Sequence, residues 1–238
     1  MLGRFLEISV GTQDILESLA FYESLGFAQA RVGDTRPHPY AVVTDGRLRL
    51  GLHAGEVEAP TLTWVHTDLA LHAASLEALG IEFDFARLDE NAFHELGFRD
   101  PSGQAITLVE ARTFSPPPTG ELRPSLLGYF EEFAIPVTDL SRAAAFWDSL
   151  GFVAFDPVSV PFTRVVASHR DLNVGLYDTD LRQPALTFSD PQMPERIAML
   201  RERGHPMPDR LPRGMDPGEN ALLEAPEGTW LLLTTAND

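Results

Sequence analysis

Two glutamates carry the strongest chemical signal in this sequence. Glu7 stands inside the run FLEISV at 5–10, where period-2 alternation puts Leu6, Ile8 and Val10 on one face of a strand and Phe5, Glu7 and Ser9 on the other. Glu132 holds the matching place in FEEFAI at 130–135. A carboxylate held mid-strand faces either water or a cavity, and in a cavity it needs partners. There it can act as a general base, as the counter-charge of a cationic ligand, or as a ligand to a hard cation such as Mg2+ or Mn2+.

Other chemistries are excluded or thin. The chain has no cysteine, which removes disulfides, thiolate nucleophiles and Cys-based zinc sites. It has no lysine either, so Schiff-base chemistry is absent and all 18 basic residues are arginine. The histidines form no H-x-H or H-x-x-x-H cluster, and there is no G-x-S-x-G elbow, P-loop or dinucleotide fingerprint. A net charge of −17 argues against nucleic acid and anionic membrane surfaces, leaving a small organic molecule or another protein as partner. No apolar run reaches membrane-spanning length and no secretory signal is read, so a cytoplasmic location is expected.

The elements that must position these residues repeat. AFYESLGF at 20–27 and AFWDSLGF at 145–152 are identical at six of eight positions, and the offset of 125 also pairs Gly3 with Gly128, Glu7 with Glu132 and Asp14 with Asp139. After one deletion an offset of 124 pairs Gly51 with Gly175 and Pro60 with Pro184. This is the pattern of a tandem duplication. Within the first half, a strand at about 4–10 leads into a helix opened by Asp14 and closed by Gly26, followed by strands at 27–32, 40–44 and 47–53. From Thr61 the plan recurs, with a helix from Asp68 to Leu79 and strands near 81–86, 93–99 and 104–110, the last two joined by the turn DPSG at 100–103. The second half follows suit with a strand at 130–137, a helix at 139–150, a strand at 185–189 and a helix at 194–203. The expected division is therefore a first domain at 1–111 (units 4–54 and 60–111), a Pro-rich linker at 112–124, and a second domain at 125–238 (units 128–178 and 184–236).

A four-fold strand–helix–three-strand plan, with SLGF closing the first helix of each half and FRDPSGQAITLVE at 98–110, resembles the vicinal oxygen chelate superfamily. That group includes glyoxalase I, extradiol dioxygenases, fosfomycin-resistance enzymes and bleomycin-resistance binding proteins. The resemblance covers about residues 3 to 236. It implies an α+β fold in which four βαβββ modules form two curved, cup-shaped mixed β-sheet assemblies with helices outside. Family metal ligands lie on the first and last strands of each unit, facing the cup. Carried over, the first-strand histidine falls on Glu7, Thr61, Glu132 and Ala185, and the last-strand glutamate falls on Gly51, Thr107, Gly175 and Leu232. Neither half keeps the family's ligand set.

Around those positions, Arg49 shares the face of Gly51 and is an ion-pair partner for Glu7, whereas its counterpart Asn173 can hydrogen-bond Glu132 but not neutralise it. His53 lies two residues beyond Gly51, and its twin is Tyr177. Ser9, Thr61, Thr63 and Thr107 are expected to line the first cup, and Ala134, Tyr177, Thr187, Trp230 and Leu232 the second. The sequence thus reads as a small-molecule binding protein, monomer or homodimer, with no cofactor and a pocket for a cationic or aromatic compound, Glu132 being favoured over Glu7. Two alternatives stay open: a metal-dependent lyase, isomerase or dioxygenase using Glu7 or Glu132, and a protein-interaction module with filled cups. Which units pair to form each cup is not readable.

Overall fold

The computed structural model describes residues 2–30, 38–55, 57, 60–89, 93–111 and 124–236. Almost all of the expected linker, 112–123, lies outside them. The first unit is β1 (Arg4–Thr12), α1 (Ile15–Ser24), β2 (Ala28–Ala30), β3 (Tyr40–Thr44) and β4 (Arg49–Ala54). The second is β5 (Thr61–His66), α2 (Leu69–Ala78), β6 (Phe83–Arg87), β7 (Glu95–Arg99) and β8 (Ala105–Glu110). The third is β9 (Tyr129–Pro136), α3 (Leu140–Ser149), β10 (Val153–Ala154), β11 (Thr163–Ser168) and β12 (Asn173–Asp178), and the fourth is β13 (Ala185–Asp190), α4 (Met193–Glu202), β14 (Ala221–Glu224) and β15 (Trp230–Thr235).

The helix starts have local causes. Asp14 accepts from the amides of Leu16 and Glu17, Asp68 from that of Leu71, and Asp139 from that of Arg142, each carboxylate satisfying donors the helix itself leaves open. Gly26 and Gly151 take φ values of 92° and 95° just past the ends of α1 and α3, the left-handed conformation that stops a helix.

Two mixed sheets result, an eight-stranded one in the order β2-β3-β4-β1-β5-β8-β7-β6 and a seven-stranded one in the order β10-β11-β12-β9-β13-β15-β14. Among the described residues the end strands of each sheet do not pair with each other, so neither sheet closes into a barrel. Unit one pairs with unit two through antiparallel β1 and β5, and unit three with unit four through β9 and β13. The fourth unit departs from the expected plan, having two strands after its helix rather than three. The segment GHPMPDRLPRGMDPG at 204–218 runs where a strand would form, and its four prolines cannot donate to a ladder. It crosses the concave face instead, with Leu211 and Met215 packed against the cluster of Tyr177, Trp230 and Leu232.

One apolar core runs through both halves, with Phe27 against Phe188 and Trp64 against Phe152. Polar contacts reinforce the junction. Tyr22 on α1 donates to Glu227 (2.6 Å), and Trp147 on α3, its counterpart in the repeated octapeptide, donates to Asp100 (3.3 Å). Each helix therefore docks on a hairpin turn of the other half. Among the described residues no helix is long and apolar enough to cross a membrane.

Candidate functional site

On the concave face of the eight-stranded sheet, β1 presents Glu7 and Ser9 while the parallel neighbour β4 presents Arg49, Gly51 and His53. Leu50 and Leu52 point the other way, into the core. The register sets Ser9 beside Gly51, so Glu7 and His53 approach across the glycine from opposite ends. Their side chains meet, with Glu7 Oε1 3.0 Å from His53 Nε2. Ser9 Oγ donates to Glu7 Oε1 (3.1 Å) and shares a 2.9 Å hydrogen bond with Thr63 Oγ1. Behind His53, its Nδ1 lies 2.9 Å from His38 Nε2, and Tyr40 stacks on its ring. Glu7 is 2% exposed and His53 1%. The carboxylate and imidazole are held by hydrogen bonds, as buried polar groups must be.

Ser9, His38 and His53 border a cavity of about 520 Å3, while Glu7 lies behind its lining. Ser9, Thr61, Thr63 and Thr107 put hydroxyls into it, and Phe85, Phe93 and Ile106 give it apolar walls. Phe85 fits because β7 carries Gly97 opposite it, where a Cβ would stand 2.3 Å from the ring. No ion pair joins Arg49 to Glu7; His53 takes that place, and Arg49 Nε is buried without a hydrogen-bond partner. Thr61 sits opposite Ser9, and Thr63 rather than Thr61 sits opposite Glu7.

The other concave face has the same skeleton and a different filling. Glu132 lies over Gly175 and accepts from Tyr177 Oη (2.6 Å) and Arg164 (3.4 Å). Tyr177 thus stands to Glu132 as His53 stands to Glu7, and Arg164 pairs with Tyr177 across β11 and β12 as Tyr40 pairs with His53 across β3 and β4. Asn173 bonds Ser168 and the Glu131 carbonyl instead of Glu132. Ala134, Tyr177, Ala185, Leu222, Trp230 and Leu232 pack together there, with Phe162, Leu211 and Met215 against them, so apolar side chains fill the space over Gly175 that hydroxyls line in the other cup. Glu132 is 1% exposed, and its Oε2 has no partner.

Burial pushes the Glu132 carboxyl above its ordinary value of 4.5, against the opposing pull of Tyr177 and then Arg164. Burial, and then the charge of Glu132, push the Tyr177 phenol upward. The folded protein therefore keeps a proton on Glu132 that the unfolded chain releases, and this contribution costs stability as pH rises past the ordinary carboxylate range. Glu132→Gln removes it. Urea unfolding should show the variant gaining on the wild type as pH rises above the ordinary carboxylate range. A wild type that gains on the variant instead would mean that the Arg164 pairing dominates.

No family model and no curated protein matches the chain. Solved structures do. A catechol 2,3-dioxygenase is 15% identical over 98% of this chain and 88% of its own, with a TM-score of 0.60. The 2,2',3-trihydroxybiphenyl 1,2-dioxygenase of the dibenzofuran-degrading Sphingomonas wittichii strain RW1 is 17% identical over 99% and 91%, with a TM-score of 0.64. A variant of homoprotocatechuate 2,3-dioxygenase from B. fuscum, in complex with HPCA, is 15% identical over 99% and 72%, with a TM-score of 0.65. This chain has the vicinal oxygen chelate fold.

Within that fold, the expectation of a binding protein without a cofactor is overturned. The neighbours are extradiol dioxygenases, members of the superfamily that use a metal ion, and they agree with the alternative of a metal-dependent enzyme. That expectation rested on Gly51 and Thr107 standing where the family has a carboxylate. It missed that the acid on β1 meets an imidazole on β4. Of the residues singled out from sequence, Glu7, Gly51, His53, Thr61 and Thr107 come together at the open cup, while Glu132, Gly175, Tyr177, Trp230 and Leu232 gather in the filled one. His38, Tyr40, Phe85 and Gly97 were missed. Pairing at the offset of 124 that links His53 to Tyr177 also links Tyr40 to Arg164, a signal present in the sequence. Nothing local marks His38.

Proposed function

We propose that the N-terminal cup is the active site of a metal-dependent enzyme acting on a small organic substrate, with oxygenation of an aromatic ring as the reaction class. The observation that supports this is the contact between Glu7 Oε1 and His53 Nε2, 3.0 Å apart, with His53 and Ser9 themselves lining an open cavity. One carboxylate and one imidazole brought within 3.0 Å of each other would be the protein's share of the ligands to a single divalent ion. Relative to the family pattern, the carboxylate and the imidazole have changed strands, and glycine at 51 leaves the room that the exchange needs. Among the described residues no group of three His, Cys, Asp or Glu side chains is placed to hold an ion. The remaining positions would go to water and substrate oxygens, which suits a divalent ion such as Mn2+ or Fe2+.

Bound there, the ion supplies a Lewis acid that draws substrate oxygens and favours their ionised form. The chain's own groups do the rest. Ser9 Oγ holds the Glu7 carboxylate in place by donating to Oε1. Thr61, Thr63 and Thr107 offer hydroxyls to polar substituents, and Phe85, Phe93 and Ile106 bury the apolar body of the substrate and exclude water. The chemistry is assigned to this cup because its counterpart is filled and has a phenol where this one has an imidazole.

Metal analysis of protein purified without chelator should find about one transition-metal ion per chain, with Glu7→Gln and His53→Ala each losing most of it. Oxygen uptake with aromatic vicinal diols should fall with the metal. Protein that holds no metal and does not change between wild type and variants would sink the proposal.

A further inference from the structure

Phe85 is an aromatic ring in a place where a regular strand would not put it. On the antiparallel pair of β6 and β7, Phe83 stands opposite Phe98 and Phe85 opposite Gly97. Phe83 and Phe85 are two residues apart and would share one face of an unbroken strand, whereas the adjacent Gly97 and Phe98 lie on opposite faces. The extra residue, Asp84, resolves the mismatch as a β-bulge. Phe83 packs against Phe98 and the core, and Phe85 turns onto the concave face. Without the bulge both rings would take the core side, and the cup would lose this wall.

Two neighbours hold the ring once it is there. Gly97 gives it a seat, since a Cβ at that position would stand 2.3 Å from Phe85 Cε1 and 2.7 Å from Cζ. Gly97 has no left-handed φ, so its missing side chain serves this close approach and not the backbone. The Arg87 guanidinium lies 5.5 Å from the ring centroid and is itself paired with Glu95, directly across the hairpin. Yet Phe85 is 37% exposed and lines the cavity with Phe93 and Ile106. A ring that only filled space would be buried; this one is fixed in place and open to the cavity. Among the described residues the bulged strand has no counterpart in the other sheet, whose fourth unit has only β14 and β15 after its helix.

We propose that Phe85 is the specificity-determining residue of the N-terminal cup, selecting planar aromatic rings over saturated rings of similar size. The inference deepens the reading of this cup as a site for aromatic substrates, and rests on it. A flat ring stacked face-on or edge-on gains from the quadrupole of Phe85 beyond the area it buries, and a puckered ring gains the area alone.

The test compares catechol with its saturated counterpart, the cis vicinal cyclohexanediol. Binding to the full chain is followed through the backbone amide signals of Gly97 and Thr107 in an NMR titration. Wild type should prefer catechol. Phe85→Leu, which keeps an apolar side chain, should reduce that preference about 2–10-fold, and Phe85→Tyr should retain it. Gly97→Ala, whose methyl takes the seat of the ring, should reduce it as well. An ion in the cup would act alike on wild type and variants, so it cancels from the change in preference. An unchanged preference in Phe85→Leu, or its loss in Phe85→Tyr, overturns the role of Phe85 and leaves the reading of the cup standing. The expected shift in protein that holds no metal supports Phe85 while the oxygenation reading falls. Wild type that binds neither diol overturns both.

Discussion

Gly51→Ala is expected to abolish metal binding and activity while leaving a folded protein. A Cβ built at this position stands 2.6 Å from Glu7 Cδ and Oε1 and 2.7 Å from His53 Nε2. All three atoms belong to the pair proposed to hold the ion, and either side chain can yield only by giving up the contacts that hold it. Glu7 is tied by Ser9, and His53 is held between His38 and Tyr40. Backbone strain does not contribute, since Gly51 has no left-handed φ. The methyl must therefore push the carboxylate and the imidazole apart, at an overpacking cost of about 1–3 kcal/mol. Loss of the 3.0 Å spacing should lower affinity at least as far as removing either side chain. Gly175→Ala is the control. Its Cβ would stand 2.3 Å from Glu132 Oε1 and 2.7 Å from Tyr177 Cε1, so it should destabilise the filled cup and leave metal content unchanged. Equal metal content in Gly51→Ala and wild type, measured alongside a urea unfolding curve, would refute the site.

Trp147→Ala should give the largest loss of stability, about 3–5 kcal/mol by urea unfolding. The indole is fully buried and packs edge-on against Phe146 and Phe152. Its Nε1–H reaches across to Asp100 Oδ2, 3.3 Å away in the other half. Asp100 Oδ1 meanwhile accepts from the Ser102 amide and hydroxyl and from the Gln104 amide, which sets the hairpin turn between β7 and β8. Alanine thus removes core volume and takes away a donor from a buried carboxylate. Trp147→Phe keeps most of the volume and should lose about 1–2 kcal/mol, chiefly the hydrogen bond. A loss below about 1 kcal/mol for alanine would show that the junction repacks around the gap.

Much of the fold could be read along the chain because its causes are local. Asp14, Asp68 and Asp139 cap helices through amides two or three residues away, and Gly26 and Gly151 end helices through their own φ. Alternation in FLEISV and FEEFAI orients strands without reference to anything distant. The missing strand of the fourth unit had a local signal too, in the prolines of 204–218, although the expected plan did not use it. Even the two quoted motifs, the repeated octapeptide and the DPSG turn, meet in space at Trp147 and Asp100.

The site depended on longer distances. The residue types at 7, 51 and 53 are plain in the sequence, and so is the face they share. That Glu7 meets His53, 46 positions later, follows from the parallel register of β1 on β4 and from the room above Gly51. One residue of slip would turn His53 toward the core. His38 reaches His53 only because β3 folds back on β4, and the partner of Glu132 is settled in the same way by β11 on β12. Open and filled cups were likewise beyond the sequence, since the difference lies in whether a segment such as 204–218 crosses the concave face. Periodicity and capping act within a few residues and leave a mark in the chain, whereas register and crossing segments are set by the packing of the whole sheet.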